Sequence, residues 1–456
     1  MEKQILIKKA KAIVTCNAHD EVLYDADILI EGMRIKDMGP DLVAPDAEIM
    51  DGRDKFVYPG LINTHHHFFQ TFIRNQINID YPNMHVVDWL KIVYPIFTRV
   101  TEDVIYYSSL VAMADLIKHG CTTAFDHQYC YTKASGKFLV DRQMQAAREL
   151  GMRYHAGRGG NSLTMDQGST IPDEMVESLD VFLLDCERLI ALYHDDAPYA
   201  MSQVVVAPCQ PINSDQHTFE ESVRFARDQG VFLHTHLGEG ENDLMVQRHG
   251  MRTLAWCQER GFVGPDVWIA HGWELQKEEY QVMADTGTGV SHCPGPAVLG
   301  GFPILDIPEM QKAGIVIGLG CDGSATNDGS NLLDSLRMAY LMQTFHGKVR
   351  GGSPSAYDML KIATNGGASL LGRKDLGHLS KDMAADLFMV DTSSLELAGT
   401  LHDPQNLLAR VGVTGNVYLT MINGKVVYRE GVLLGIDEKK ISFDANMLCG
   451  QVIGQI

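Results

Sequence analysis

Short apolar runs of β type alternate with longer stretches of helical spacing through the middle of the chain. The stretch FEESVRFARDQG, for example, repeats its apolar residues at helical intervals and ends at a glycine. Eight β-type runs can be counted, at residues 60–65, 122–127, 152–158, 204–208, 231–236, 267–271, 288–292 and 315–322. Eight alternating β–α units predict an α/β protein with a parallel (β/α)8 barrel of the TIM type, in which functional residues lie at the carboxyl ends of the strands.

The two chain ends alternate apolar and polar residues instead. ADILIEGMRIKDMG near the start turns at Glu31-Gly32, and YLTMINGKVVYREG near the end turns at Asn423-Gly424. Both residues of an Asn-Gly pair tolerate positive φ, which is a strong hairpin signal. Neither end has enough apolar surface to fold alone, so we predict one small β-sandwich module built from both, with ADLFMVD (385–391) as the strand that re-enters it. The predicted division assigns residues 1–57 plus 385–456 to this module and residues 58–384 to the barrel.

Composition and charge narrow the kind of partner. The 456 residues carry a formal charge of −20, whereas binding of nucleic acid or an anionic membrane needs clustered Lys and Arg. Nine cysteines without any C-x-x-C predict reduced thiols. The lysine-interrupted N-terminus predicts strands rather than a signal peptide, and no apolar run is long enough to span a bilayer. We therefore expect a cytoplasmic protein with a small, neutral or weakly charged substrate.

Histidines and one aspartate fall at the ends of the predicted strands. The first run ends in PGLINTHHHFFQ, and because alternate residues of a strand share a face, His65 and His67 can point into the barrel mouth while His66 points away. The motifs HTHLGE, WIAHGWE and GLGCDGSATND add His234, His236, Glu239, His271 and Asp322. A single strand-end histidine is usually structural, and a single aspartate is often a turn residue. So many potential metal ligands at successive strand ends predict a metal site.

These motifs together resemble the amidohydrolase superfamily, in its branch of aromatic-heterocycle aminohydrolases and deaminases. PGLINTHHH, HTHLGE, AHGW and DGSATND carry the resemblance, which covers essentially the whole chain. Within this branch, HHHFFQ, IKHGCTTAFDHQ, HAGRG, GSTIPD and GFVGPDVWIAHGWE are most similar to enzymes that remove the ethylamino group from hydroxyatrazine. The chain also resembles 8-oxoguanine deaminases, which share PGLINTHHH and the SHCP stretch.

The resemblance implies one divalent metal ion, with Zn²⁺ the first choice and Fe²⁺ the alternative. The implied ligands are His65, His67, His236 and Asp322. Such an ion lowers the pKa of bound water towards about 7. The resemblance also implies that Asp322 accepts the water's proton, that Glu239 is the general acid/base and that His271 orients the hydroxide and stabilises the intermediate. The fourth run ends VVVAPCQP, without the lysine that bridges two metals in binuclear relatives, which favours one ion.

The implied reaction replaces an amino or alkylamino group on an oxo-substituted N-heterocycle, an s-triazine such as hydroxyatrazine, by hydroxide. The substrate-binding candidates just past the strand ends are Gln70, Trp89, His127, Arg158, Gln210 and Asn327. Alternatives exist for several of them. Gln70 could be an ordinary loop residue, Trp89 a buried residue of a lid helix, and Arg158 the partner of a neighbouring carboxylate.

Other functions remain open at this point. Deamination of 8-oxoguanine, guanine or a pterin is the alternative reaction. Against 8-oxoguanine, the stretch HCPGPAVLGG places Gly295, Pro296 and Ala297 where many purine-type deaminases of the branch read Ser-Ser-Asn, which leaves a more apolar wall suited to an N-alkyl group. A catalytically inactive barrel that serves as a scaffold would be expected to have lost metal ligands, whereas all four are present. Resemblance also leads us to expect a homo-oligomer, a dimer.

Overall fold

The computed structural model describes residues 2–75, 86–350, 352–413 and 415–453. Its strands are β1 (Gln4–Val14), β2 (Val22–Glu31), β3 (Arg34–Gly39), β4 (Glu48–Asp51), β5 (Lys55–Pro59), β6 (Leu61–Asn63), β7 (Cys121–Gln128), β8 (Arg153–Gly160), β9 (Ser202–Pro208), β10 (Leu233–Leu237), β11 (Val267–His271), β12 (Gly289–His292), β13 (Ile317–Leu319), β14 (Leu387–Asp391), β15 (Leu419–Ile422), β16 (Lys425–Arg429) and β17 (Val432–Leu433).

The α-helices are α1 (Val86–Phe97), α2 (Glu102–Lys118), α3 (Leu139–Leu150), α4 (Leu179–Tyr193), α5 (Gln216–Gln229), α6 (Asn242–His249), α7 (Thr253–Glu259), α8 (Lys277–Thr286), α9 (Pro294–Leu299), α10 (Ile307–Lys312), α11 (Ser324–Asn327), α12 (Leu332–Arg350), α13 (Ala356–Lys361), α14 (Gly367–Leu370) and α15 (Glu438–Ile453). Short 3₁₀ or π helices lie at Phe68–Ile73, Met165–Gln167, Asp173–Met175, Pro211–Asn213, Ile362–Gly366, Leu395–Leu397 and Leu407–Gly412. In the parts of the chain described here, no helix is both long enough and apolar enough to cross a membrane.

The eight strands β6 to β13 close into a parallel barrel, with β13 returning to β6 where Leu319 pairs with Asn63. Every one of the eight predicted runs overlaps one of these strands, so the barrel prediction is confirmed. The helices between the strands cover the outside, and their buried faces form one large apolar core with the strands. Because all eight strands run in the same direction, their carboxyl ends open at one mouth.

The two chain ends meet in one sheet. The described strands run in the order β17-β16-β15-β14-β5-β1-β2-β3, and β4 pairs with β1 beside β5. The join is the antiparallel pair of β5 and β14, in which Leu387 lies opposite Pro59. Asn423 and Gly424 turn the β15–β16 hairpin with φ of 49° and 72°, as the Asn-Gly pair predicts. A β module built from both ends is therefore present, whereas the boundaries 1–57 plus 385–456 and 58–384 stay a prediction.

The chain's last described segment is a helix rather than a strand. Helix α15 falls within the segment that was predicted to belong to the β-sandwich module. It packs against α2, and the hydroxyl of Tyr107 in α2 donates to Asp444 in α15 at 2.9 Å. The thiol of Cys449 donates to the carbonyl of Phe72 at 3.1 Å. This helix therefore supports the 3₁₀ segment Phe68–Ile73, which directly follows the histidine triplet.

A buried ion pair joins the barrel to the terminal sheet. Arg153 at the start of β8 is fully buried and donates to both carboxylate oxygens of Asp386, at 3.0 and 3.2 Å. The substitution Asp386→Asn leaves this arginine charge without its partner. We expect it to lower the free energy of unfolding by about 3–5 kcal/mol, the usual effect of breaking a buried pair. Urea unfolding followed by circular dichroism measures the change.

An exposed ion pair provides the control for that measurement. Arg34 and Asp382 lie 2.7 Å apart, but their side chains are 42% and 56% exposed. Because water screens such a pair, Asp382→Asn should change the free energy of unfolding by less than about 1 kcal/mol. Equal losses for the two aspartate variants would contradict the structural role of the buried pair.

Candidate metal centre

The strand ends of the barrel mouth are tied together through their main chains. The N–H of Asp322 donates to the carbonyl of His65 at 3.1 Å, and the N–H of His236 donates to the carbonyl of Cys209 at 3.1 Å. His271 and Asp322 both adopt positive φ, 73° and 64°. This region costs a non-glycine residue about 1–3 kcal/mol, and residues that adopt it cluster at active sites. The turns thus direct both side chains into the mouth.

Two of the histidines have their ring tautomers set by backbone carbonyls. Nδ1 of His67 lies 2.8 Å from the carbonyl of His127, and Nδ1 of His236 lies 2.8 Å from the carbonyl of Cys209. A carbonyl oxygen only accepts hydrogen bonds, so each Nδ1 carries the proton and each Nε2 carries a lone pair. The two Nε2 atoms face each other at 3.1 Å. Such an approach of two lone pairs is repulsive unless a cation lies against both.

A third imidazole and a carboxylate complete the cluster. Nε2 of His65 is buried without a hydrogen-bond partner among the described residues and lies 3.3 Å from Oδ1 of Asp322. Nε2 of His67 lies 3.4 Å from the same oxygen. Burial lowers the pKa of His65, His67 and His236, so these imidazoles are neutral near pH 7 and protonation does not relieve their repulsion. The residues present therefore fit a divalent metal ion.

Asp322 is held as a carboxylate. Its Oδ1 accepts the N–H of Gly323 at 2.7 Å, and its Oδ2 accepts the hydroxyl of Thr326 at 3.1 Å. Burial pushes its pKa upwards, but its polar neighbours, the N–H of Gly323 among them, outweigh burial and bring the pKa below its ordinary value. The ionised form is the one that ligates a metal.

Glu239 and His271 face each other beside the cluster. Glu239 follows β10 between Gly238 and Gly240, whose φ values of 72° and 100° turn the loop inwards. Its Oε1 lies 3.6 Å from Nε2 of His271, and its side chain is 18% exposed at the mouth. Neither ring nitrogen of His271 has a hydrogen-bond partner in the described parts of the chain. A carboxyl group and a free imidazole thus adjoin the four candidate ligands without being committed to each other.

The environment of Glu239 favours its protonated form. Burial raises its pKa well above the ordinary value, and the nearby carboxylates of Asp322 and Glu241 add to the effect. Glu241 also accepts the N–H groups of Gly238 and Glu239, at 2.6 and 2.7 Å. It therefore holds the loop that carries Glu239. The sequence interpretation missed this residue, although the repeated acid in HTHLGEGE was the available signal.

An aromatic ladder leads away from His271 and was also missed. The ring of Trp273 lies 4.3 Å from that of His271, and Phe302 stacks on Trp273 at 4.5 Å between ring centroids. Nε1 of Trp273 is buried without a partner among the described residues. Phe302 follows α9, in which Gly295, Pro296 and Ala297 are buried and carry no polar side chain. The tripeptide His-Gly-Trp was the sequence signal for this ladder.

Two of the predicted substrate residues, Gln70 and His127, lie close to the cluster, and a third, Trp89, lies in α1. Gln70 is buried, and its Oε1 has no partner among the described residues. Its side chain packs so closely on Gly323 that a Cβ at position 323 would collide with it. His127 stacks on His236 at 4.8 Å, while its Nε2 donates to the carbonyl of Ala207. Trp89 is a buried residue of α1, within an aromatic cluster that includes Phe69, Tyr94 and Tyr129. Gln70 through Oε1 and His127 through Nδ1 each keep an acceptor without a partner among the described residues.

The other three predicted substrate residues are engaged elsewhere to different degrees. Arg158 is buried and paired with Glu177 and Asp185, which is the alternative stated for it. The side-chain Nδ2 of Asn327 donates to the carbonyl of Cys321, and its Oδ1 accepts the N–H of Gly329. Both bonds lie within its own loop. Gln210 precedes the 3₁₀ turn Pro211–Asn213 and is 9% exposed. Substrate binding by these residues stays a prediction.

His66 lies on the opposite side from its two neighbours. Its Nε2 lies 3.0 Å from the hydroxyl of Ser330, and its ring packs on Phe68. Burial lowers its pKa to about 4. It belongs to none of the groups of potential ligands that the described residues form.

The chain is similar over most of its length to several known proteins. The model of the Amidohydrolase family matches residues 56–427. The chain is 51% identical over 452 residues to hydroxydechloroatrazine ethylaminohydrolase from Pseudomonas sp. strain ADP, covering 97% of this chain and 94% of that protein. It is 35% identical to 8-oxoguanine deaminase from Pseudomonas aeruginosa, with 94% and 95% covered. The crystal structure of atrazine chlorohydrolase from Arthrobacter aurescens TC1 complexed with zinc superposes with a TM-score of 0.93 at 30% identity, covering 98% of this chain and all of that one.

Proposed function

Because the chain belongs to the amidohydrolase family, we propose that it is a metal-dependent aminohydrolase of oxo-substituted N-heterocycles. It is an enzyme that hydrolyses C–N bonds other than peptide bonds. The observation that carries the proposal is the convergence of three imidazole Nε2 atoms and one carboxylate in the barrel mouth, next to Glu239 and the unpartnered imidazole of His271.

We assign a single Zn²⁺ ion to this site. Its ligands would be His65, His67, His236 and Asp322. Three neutral imidazoles and a carboxylate suit zinc and leave room for water. The zinc bound by the related atrazine chlorohydrolase structure supports this choice of metal. When bound, the ion supplies Lewis-acid chemistry that makes hydroxide available near neutral pH.

Three side chains would move or orient protons in the reaction. Glu239 protonates a ring nitrogen of the substrate, and Asp322 accepts one proton of the attacking water. His271, as a neutral imidazole, orients the oxygen that is being added. The C–N bond breaks once the C–O bond has formed, and the hydroxyl proton passes through Glu239 to the leaving amine. The proton on Asp322 then restores Glu239, so the products are a ring carbonyl and a free amine.

The substrate that fits best is an N-alkylated oxo-s-triazine such as hydroxyatrazine. The relative at 51% identity bears the name of a hydroxydechloroatrazine ethylaminohydrolase. The buried stretch Gly295–Ala297 offers no side-chain donor or acceptor to a purine, and the stacked rings of Trp273 and Phe302 give an apolar surface. An alkyl group on the leaving amine would pack there.

A panel of amine-release assays tests the proposed function. Metal-replete protein is incubated with hydroxyatrazine, 8-oxoguanine, guanine and isoxanthopterin, and ammonia, ethylamine and isopropylamine are separated by chromatography. We expect an alkylamine from the triazine as the dominant product. Faster release of ammonia from a purine or a pterin would overturn the triazine as substrate but would leave the proposed hydrolytic deamination in place. No release from any of them would contradict the proposed function.

A substitution in the aromatic ladder tests the position of the alkyl group. Phe302→Ala removes the outer ring that stacks on Trp273. We expect KM for an N-alkyl triazine to rise by about 10-fold or more, since one lost hydrophobic contact is worth roughly 1–3 kcal/mol, while the unalkylated amino analogue changes little. Steady-state kinetics on both substrates measure the difference.

A surface phenylalanine provides the matched control for this substitution. Phe345 on α12 is 70% exposed, so Phe345→Ala should leave both KM values as they are. An equal rise in KM for the alkylated and the unalkylated substrate after Phe302→Ala would argue against an alkyl site at the ladder.

A further inference from the structure

A fourth histidine lies directly behind the metal cluster. His234 belongs to β10, two residues before His236, and is fully buried. Its Nε2 lies 3.0 Å from Nδ1 of His65, and its Nδ1 lies 2.9 Å from the carbonyl of Trp268. Both nitrogens of this ring are therefore engaged in hydrogen bonds.

These two contacts determine which nitrogen carries each proton. The carbonyl of Trp268 only accepts, so Nδ1 of His234 is the protonated nitrogen and its Nε2 is an acceptor. The hydrogen bond to His65 then requires that Nδ1 of His65 is the donor. Nε2 of His65, which lies 3.3 Å from Asp322, is left with the lone pair that a metal needs. The tautomer of one imidazole is thus set by another.

His65 differs in this respect from the two other imidazoles of the cluster. His67 and His236 each donate from Nδ1 to a backbone carbonyl, which side-chain substitutions elsewhere do not remove. His65 depends on a side chain instead. This dependence makes His234 a position at which one substitution can disturb the ligand set without removing a ligand.

The surroundings of His234 keep its ring in place. It packs against Phe125 and Trp268, each with ring centroids 4.7 Å away. Nε1 of Trp268 in turn donates to the carbonyl of Thr64 at 3.2 Å, the residue before His65. A closed path of contacts therefore runs from His65 through His234 and Trp268 back to the main chain next to His65.

A second metal site is the competing interpretation of this cluster. Ligand atoms of His65, His127 and His234 lie within 4.8 Å of one another. Nδ1 of His234 is bound to a carbonyl, its Nε2 is bound to His65, and Nε2 of His127 donates to the carbonyl of Ala207 at 2.8 Å. The hydrogen bonds among these rings leave no set of three lone pairs for an ion.

We propose that His234 is a positioning residue of the metal centre, which holds His65 in the tautomer and orientation that present Nε2 to the ion. His234 itself is not a ligand. This inference rests on the proposed metal centre and adds to it a residue that acts through His65. Loss of a hydrogen-bonded partner of a metal ligand typically weakens metal binding by about 10–100-fold.

Two amide substitutions separate the two hydrogen bonds of His234. In His234→Gln the longer side chain can place Oε1 where Nε2 was and accept from His65. In His234→Asn the shorter side chain can bond to Trp268 but does not reach His65. The control is His155→Gln, which replaces another buried barrel histidine, one that lies beside Arg373 and away from the cluster.

The measurement is metal affinity rather than turnover. Metal-free proteins are titrated with Zn²⁺ in competition with a chromophoric chelator, and with Co²⁺ as a spectroscopic probe of the ligand set. We expect the Asn variant to bind Zn²⁺ about 10–100-fold more weakly and to show an altered Co²⁺ spectrum. The Gln variant and the His155→Gln control should stay close to wild type. Melting temperatures show whether each variant is folded.

The outcomes separate this inference from the function on which it rests. Wild-type affinity in a folded Asn variant would overturn the role of His234 and leave the metal centre intact. Equal weakening in folded Asn and Gln variants would also overturn it, because the bond to His65 would then not be the cause. Wild-type protein that binds neither Zn²⁺ nor Co²⁺ would overturn the metal centre together with this inference.

Discussion

Replacing Glu239 with glutamine is expected to lower kcat by about 10²–10⁴-fold while the metal stays bound. Glutamine keeps the size of the side chain but has no acidic proton, so neither the ring nitrogen nor the leaving amine can be protonated. Glu239 lies 3.6 Å from His271 and is outside the assigned ligand set of His65, His67, His236 and Asp322, which is why metal content should be unaffected. Amine release and metal analysis of the same preparation measure both quantities.

An exposed glutamate serves as the control for this substitution. The side chain of Glu259 at the end of α7 is 59% exposed, so Glu259→Gln should leave kcat and metal content unchanged. A Glu239→Gln protein with the kcat of wild type would show that another group is the acid. Loss of the metal from this variant would place Glu239 among the ligands instead.

The second large effect is expected within the histidine triplet. Substitution of His65 or His67 by alanine should remove nearly all bound metal and with it the activity, since each supplies one of the three imidazole lone pairs of the assigned ligand set. His66→Gln should retain the metal, because its ring lies on the other side, against Ser330 and Phe68. Metal content per chain, measured after dialysis against a weak chelator and re-addition of Zn²⁺, gives the comparison.

The triplet offers its own control because the three substitutions are adjacent. Since His66 is fully buried, its replacement can lower stability, and melting temperatures recorded beside metal content separate the two effects. Equal metal loss at all three positions would contradict the assignment of His65 and His67 as ligands with His66 excluded.

Much of the fold was predictable because its signals are local. Strand alternation, helical spacing and turn residues act over a few positions, and each of the eight predicted runs overlaps a barrel strand. The same two-residue period of a strand distinguishes His65 and His67 from His66 in the sequence alone. The β module at the chain ends was predictable for a similar reason, since Asn423-Gly424 carries its turn geometry in its own two residues.

The partners of individual side chains were decided by the tertiary structure. Arg158 had two stated interpretations, and only the fold brought Glu177 and Asp185 to it. Glu438–Ile453, which follows the last strand of the sheet, forms a helix that packs on α2.

His234 and His236 share a strand face, yet one lies behind the other and bonds to His65, which is 169 positions away in the chain. Periodicity in a sequence specifies the face on which a side chain lies. Its depth in the barrel and the groups that meet it there depend on strands that are distant in sequence, and hence on the closed barrel itself.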